Sequence, residues 1–162
     1  MRTTKAQRRA NRQRLATLDL FASCTTEQLD CIAQLGTDID LCEGTQLCRE
    51  HRTAPQFVIV VDGHVGLFRA GHKVGIVHPG SWFGHGSLLG YQPVEDVTAV
   101  ACETTRVLVF SRREFTSLLE LVPGIRHTLA RPITVATPDR VSALVGAVTH
   151  WLARPAAVVT HV

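Results

Sequence analysis

An unbroken apolar run, Phe57-Val58-Ile59-Val60-Val61, stops at Asp62-Gly63 and resumes as Val65-Gly66-Leu67-Phe68. Short apolar runs around an Asp-Gly pair predict two strands joined as a hairpin. Strand-like spacing recurs on both sides. Ile39, Leu41 and Leu47 precede it, with a turn at Glu43-Gly44. Val74 to Val77 follow it, and 97–110 alternates through Thr98, Val100, Val107 and Val109. Between these strands, Pro79-Gly80-Ser81-Trp82-Phe83-Gly84-His85-Gly86-Ser87-Leu88-Leu89 predicts a glycine-rich loop opening a short apolar helix.

Helical spacing is confined to the two ends. The opening segment has few turn signals and reads as a basic helix with weak apolar periodicity at Ala10, Leu15, Ala16 and Leu18. Thr25-Thr26-Glu27-Gln28 has capping-box spacing ahead of Leu29, Ile32, Ala33 and Leu35, with Gly36 as the stop. Ser111-Arg112-Arg113-Glu114 repeats the device before Phe115, Leu118, Leu119 and Leu121. Thr137-Pro138-Asp139 predicts a last helix start, followed at helical spacing by Val141, Leu144, Val145, Val148 and Leu152. No repeat or low-complexity segment interrupts this order.

The fold class expected is mainly β with helical ends, an antiparallel jelly-roll-like β-roll. Residues 1–14 form a basic segment, 15–130 the roll domain, and 131–162 an amphipathic helix and tail. At 162 residues with 45% hydrophobic and 19% charged content, the chain buries a real core and is expected to be soluble. No apolar stretch approaches a membrane span, and no apolar segment after the basic start suggests a secretory signal.

Charge changes the picture. Arg2, Lys5, Arg8, Arg9, Arg12 and Arg14 give the first 14 residues +6; against a chain total of +3, the rest carries −3. The basic head therefore suggests an anionic partner: nucleic acid, an acidic protein face or a membrane surface. The plain alternative is a solvated helix face; a transit peptide ranks lower. No aromatic residue interleaves these cations, so base stacking is not indicated. Five cysteines with no Cys-x-x-Cys spacing suit buried thiols in a reducing cytoplasm and not a disulfide or iron–sulfur framework.

The order of elements resembles the cyclic-nucleotide-binding domain, the family of the catabolite activator protein and of cyclic-AMP-dependent kinase regulatory subunits. Leu20-Phe21, Phe57-x-x-Val60-x-x-Gly63-x-Val65, Pro79-Gly80-Ser81-Trp82-Phe83-Gly84 and Glu114-Phe115-x-x-Leu118-Leu119 carry the resemblance, over roughly residues 15–130. It implies a phosphate-binding cassette in which helix-start amides and an arginine hold the cyclic phosphate. A glutamate after the Phe-Gly pair holds the ribose. Here His85 stands at the glutamate position, and the arginine position falls at or near Glu95. No arginine occurs from Ala70 through Thr105, and Ser81 replaces the family's aspartate. A carboxylate about 4 Å from a phosphate charge is repelled by roughly 4 kcal/mol at an effective dielectric near 20. The lost arginine removes about 1.5–3 kcal/mol more. At about 1.4 kcal/mol per tenfold in affinity, tight binding of cyclic AMP or cyclic GMP is not expected.

The degenerate cassette comprises Phe83, Gly84, His85, Gly86, Ser87, Leu88, Glu95 and Val97, in a pocket bounded by Val65, Phe83, His85, Leu88 and Val97. Glu95-Asp96 reads as a solvated loop tip. His85 is preferred as a neutral residue filling the pocket over a sensor or axial haem ligand. His64, His72 and His78 add slightly to the case for metal or haem, yet no His-x-His exists for a metal-binding cupin, and no Gly-x-Ser-x-Gly elbow exists for a hydrolase. No cofactor, metal or catalytic residue is expected. Nor is sequence-specific DNA reading, since no helix-turn-helix fits after Ala130.

The reading is a non-enzymatic regulatory or interaction module. A small-molecule sensor is the alternative, taking haem, an apolar ligand, or a cyclic nucleotide by another mode. The apolar face of Val141, Leu144, Val145, Val148 and Leu152 suggests a homodimer or docking on the chain's own roll.

Overall fold

The run 57–61 is apolar without alternation because both of its faces are buried. In the computed structural model, which describes residues 4–53, 56–90 and 95–130, it lies in a strand with a core on either side. The elements are α1 (Lys5–Ala16), a 3₁₀ turn (Asp19–Phe21), α2 (Thr26–Leu35), β1 (Thr37–Leu41), β2 (Gln46–Cys48), β3 (Gln56–Asp62), β4 (Val65–Arg69), β5 (His72–Val77), β6 (Trp82–Phe83), α3 (His85–Leu88), β7 (Thr98–Ala101), β8 (Thr105–Ser111), α4 (Arg112–Leu121) and α5 (Ile125–Leu129). Strands pair antiparallel in two four-stranded sheets, ordered β1-β8-β3-β6 and β2-β7-β4-β5.

The two sheets face one another over Val58, Val60, Val65, Leu67, Phe83, Ala99, Ala101, Val107 and Val109. The opposite face of the first sheet presents Phe57, Ile59, Leu108 and Phe110 to a helical layer containing Leu15, Phe21, Ile32, Phe115, Leu118 and Ile125. Period-two geometry thus sends alternate residues of β3 and β8 into different cores. Each such side chain contributes roughly 1.5–3 kcal/mol when fully buried. The Phe115 ring anchors the layer, centred 4.9 Å from Phe57.

Both capping boxes form. Thr25 Oγ1 accepts from Gln28 N and Gln28 Oε1 accepts from Thr25 N; Ser111 and Glu114 make the same exchange. Helix α1 starts at an N-cap Thr4, runs past residue 14, and buries Asn11 and Leu15. The apolar helix face at Val141, Leu144, Val145, Val148 and Leu152 lies outside the described residues, as does Arg2.

Two expectations change. Asp62-Gly63 does turn, with Gly63 at φ 79°, but it joins no hairpin. It carries the chain from one sheet to the other, because β3 and β4 belong to different sheets. A Cβ at Gly63 would lie 2.7 Å from Thr105 Oγ1, so this crossing requires glycine. The tight hairpin is β4–β5, closed by Ala70 (φ 49°) and Gly71 (φ 79°) with Arg69 opposite His72. Two positive φ values make this a type I′ turn, and the Glu50 carboxylate accepts from Ala70 N. The cysteines are not uniformly buried: Cys48 and Cys102 are, Cys24 is half-buried, and Cys31 and Cys42 are exposed. Exposed Cys31 lies on α2 and exposed Cys42 just beyond the end of β1.

Candidate functional site

The corner where β6 passes into α3 is built from backbone constraints. Gly84 caps α3 at φ 85°, and a Cβ there would lie 2.2 Å from the Gln56 carbonyl oxygen. Only glycine lets β6 approach β3 this closely while opening the helix turn. Helix α3 is a single turn carrying His85, Gly86, Ser87 and Leu88.

Glu95 is held beside it. Its N–H donates to the Arg52 carbonyl at 2.9 Å, and its own carbonyl accepts from His51 N at 2.8 Å. The side chain is 6% exposed, so the solvated-loop reading fails for Glu95 and holds only for exposed Asp96, which pairs with Arg69 at 2.6 Å. The difference arises from the two backbone bonds, which fold Glu95 inward. Ser87 Oγ donates to Glu95 Oε1 at 2.9 Å. Among the described residues, no hydrogen bond or ion pair joins an arginine or lysine side chain to Glu95.

Electrostatics follow from this burial. Loss of water pushes the Glu95 carboxyl above its ordinary value, a rise that the Ser87 hydrogen bond offsets in part and the Asp96 charge reinforces. The nearby Cys48 thiol is pushed up to about 12, by its own burial first and the Glu95 charge second. Burial lowers the His85 imidazole, favouring the neutral ring. His85 Nδ1 and Trp82 Nε1 are buried and have no hydrogen-bond partner among the described residues. The corner is therefore a buried, acceptor-bearing site in which, among the described residues, no cation is bonded to Glu95.

Not all of the expected pocket converges. Phe83, Val65 and Val97 belong to the core between the sheets. Leu88 instead packs against the helical-layer core, because successive residues of a helix turn point about 100° apart and Leu88 follows Ser87. The histidines do not form a centre either. His64 Nδ1 bonds Glu103 and its ring meets His78 edge-on at 5.1 Å, while His72 is exposed. Among the described residues no group of three or more His, Cys, Asp or Glu side chains could hold a metal ion. In the basic head, Lys5, Arg8, Arg9 and Arg14 are exposed, whereas Arg12 bonds Asp30 at 3.1 Å.

The Ser87–Glu95 bond was not foreseen. Its one sequence signal is an acid in a stretch from 70 to 105 holding no arginine, with valines at 94 and 97 around it.

A helix-flanked double-sheet β-roll with a glycine-opened helix turn at one corner defines the class of this protein. Residues 39–121 match the cyclic nucleotide-binding domain, and the chain belongs to that family. A cyclic nucleotide-binding-like protein from Brucella abortus is 33% identical, with a TM-score of 0.57 over 68% of this chain and 98% of that one. The catabolite activator protein of Thermus thermophilus is 27% identical, with a TM-score of 0.61 over 68% of this chain and 54% of that one. The regulatory subunit of a cAMP-independent protein kinase A from Trypanosoma cruzi, bound to guanosine, is 19% identical, with a TM-score of 0.65 over 78% and 44%. This chain thus spans about half the length of the latter two. A search of curated proteins finds no match. Among the described residues, no helix is long and apolar enough to cross a membrane.

Proposed function

We propose that this chain is a non-enzymatic regulatory module that does not hold a cyclic nucleotide through its phosphate. The observation carrying this reading is the buried Glu95 carboxylate, bonded to Ser87 on the very helix turn whose amides face the phosphate in the family's cassette. An anion placed there meets a like charge in a buried corner, and no described guanidinium is bonded to Glu95. Such repulsion amounts to roughly 4 kcal/mol at about 4 Å, enough to remove about three decades of affinity. Regulation then works by binding: the roll of residues 15–130 presents surfaces, and the apolar positions of 131–162 pair two copies or dock on the roll. All five thiols are free, which supports a reducing cytoplasmic setting. Calorimetric titration with cyclic AMP and cyclic GMP to millimolar concentration gives no heat on this reading; micromolar affinity for either overturns it.

A second reading is favoured by the same carboxylate. Glu95 Oε1 accepts a hydroxyl from Ser87, and a buried acceptor suits neutral donors such as nucleoside hydroxyls. The guanosine bound by the Trypanosoma cruzi subunit is a ligand of that kind. Guanosine or adenosine then raises the melting temperature of the wild type and leaves Glu95→Ala unchanged. Equal effects on both proteins dismiss this second reading and leave the first intact.

A further inference from the structure

We propose that the outward face of α1 is a docking surface for the phosphate backbone of duplex nucleic acid, engaged without regard to base sequence. Lys5, Arg8, Arg9 and Arg12 recur at the i, i+3, i+4, i+7 positions of the helix. At 3.6 residues per turn they share one face and span about 10 Å of axis. A duplex carries one negative charge per about 1.7 Å of its axis, so roughly six phosphates pass along such a stripe.

Three observations set this face apart from a merely solvated one. First, α1 has no acid in its first turn and none in its whole length. Its cations at Lys5 and Arg8 lie near the positive end of the helix dipole, where they are unfavourable, and no acid at i+4 relieves them. Breaking a local rule without internal compensation marks a site that an external partner completes. Second, the stripe is held rigid. Arg12 Nη1 reaches both oxygens of Asp30, at 3.2 and 3.1 Å, fastening α1 to α2. Asn11 and Leu15 bury the adjoining flank, beside Arg8 and Arg12. Third, Lys5, Arg8 and Arg9 are exposed and make no side-chain hydrogen bond or ion pair to the described body, whereas exposed Arg14, off the stripe, lies within the field of Asp40.

The chemistry of the face selects among polyanions. An anionic membrane calls for apolar side chains that enter the lipid. Among the described residues the exposed large hydrophobic is Val74, on β5, and α1 exposes only alanine and glutamine beside its cations. An acidic protein calls for an aromatic or aliphatic anchor, and α1 has none exposed. Single-stranded nucleic acid calls for stacking rings, which α1 also lacks. Duplex phosphates need only regularly spaced cations.

The test is fluorescence anisotropy of the full chain with two labelled duplexes of unrelated sequence, from about 50 to about 200 mM salt. The expected result is equal binding of both duplexes, with log affinity falling against log salt at a slope of about −3 to −4. Arg8→Ala/Arg9→Ala, with its circular dichroism unchanged, weakens binding at least about tenfold and makes the slope shallower by about 2. Should that pair disturb the helix, Lys5→Gln alone reduces the slope by about 1. The proposal is overturned by no binding at the lowest salt, by variants that bind like the wild type, or by a strong preference for one duplex. Tighter binding to phosphatidylserine vesicles or polyglutamate overturns it as well.

Discussion

The helical layer over the first sheet and the corner around Gly84 lie close together and are built on opposite principles. In the layer, every local device agrees with the global packing: two capping boxes, and apolar residues gathered onto one sheet face. In the corner, local rules are broken. A carboxylate is buried, two ring nitrogens lack partners among the described residues, and a left-handed glycine faces a carbonyl. Stability resides in the first region, and the broken rules of the second mark it as the candidate functional site.

The largest expected effect tests the first half of that contrast. Phe115, 2% exposed and packed on Phe57 and Phe110's neighbourhood, leaves a cavity when truncated. Phe115→Ala costs about 3–5 kcal/mol in denaturant unfolding. A loss below about 1 kcal/mol would show that the layer is not where stability resides. Gly84→Ala comes next. Its φ of 85° imposes a strain of roughly 1–3 kcal/mol, and the Cβ collision with Gln56 adds to it. Unchanged stability in this variant would mean that β6 does not approach β3 as described.

The smallest effect concerns pH. The folded-state pKa of Glu95 is raised, so the folded protein holds this proton more tightly than the unfolded chain does. Stability from the protonated form is complete below the ordinary value of 4.5 and is lost as pH rises through the folded value. Glu95→Gln removes that loss. The stability gap between the variant and the wild type is therefore flat below about 4.5 and opens in the variant's favour as pH increases. His85, whose pKa is lowered, slopes the other way, with stability lost as pH falls below its ordinary 6.5, but it is common to both proteins and cancels. A gap that closes with rising pH would place a cation against Glu95.

Much of this architecture was legible in the chain. Thr25-x-x-Gln28 and Ser111-x-x-Glu114 announced their helices because a capping box is complete within four residues. The run at 57–61 announced a strand, and Phe83-Gly84 the corner. What stayed hidden depended on contacts distant in sequence. Asp62-Gly63 has the local chemistry of a hairpin, and nothing local states that the following strand pairs with β5 and β7 rather than β3. Glu95 looked solvated beside Asp96, because its burial comes from backbone bonds to Arg52 and His51, more than forty residues earlier. Leu88 looked like pocket lining, since a single turn of helix gives no periodicity from which to choose a face.

The proposed function rests on the buried Glu95 carboxylate, which has no cationic partner among the described residues, at the corner where the family resemblance puts the phosphate. Carbon-detected magnetic resonance of the Glu95 carboxyl, titrated with acid and then with cyclic AMP, reads this directly. The account predicts an inflection above 4.5 that millimolar cyclic AMP leaves unmoved. An inflection below 4.5, or a carboxyl signal shifted by micromolar cyclic AMP, would contradict it.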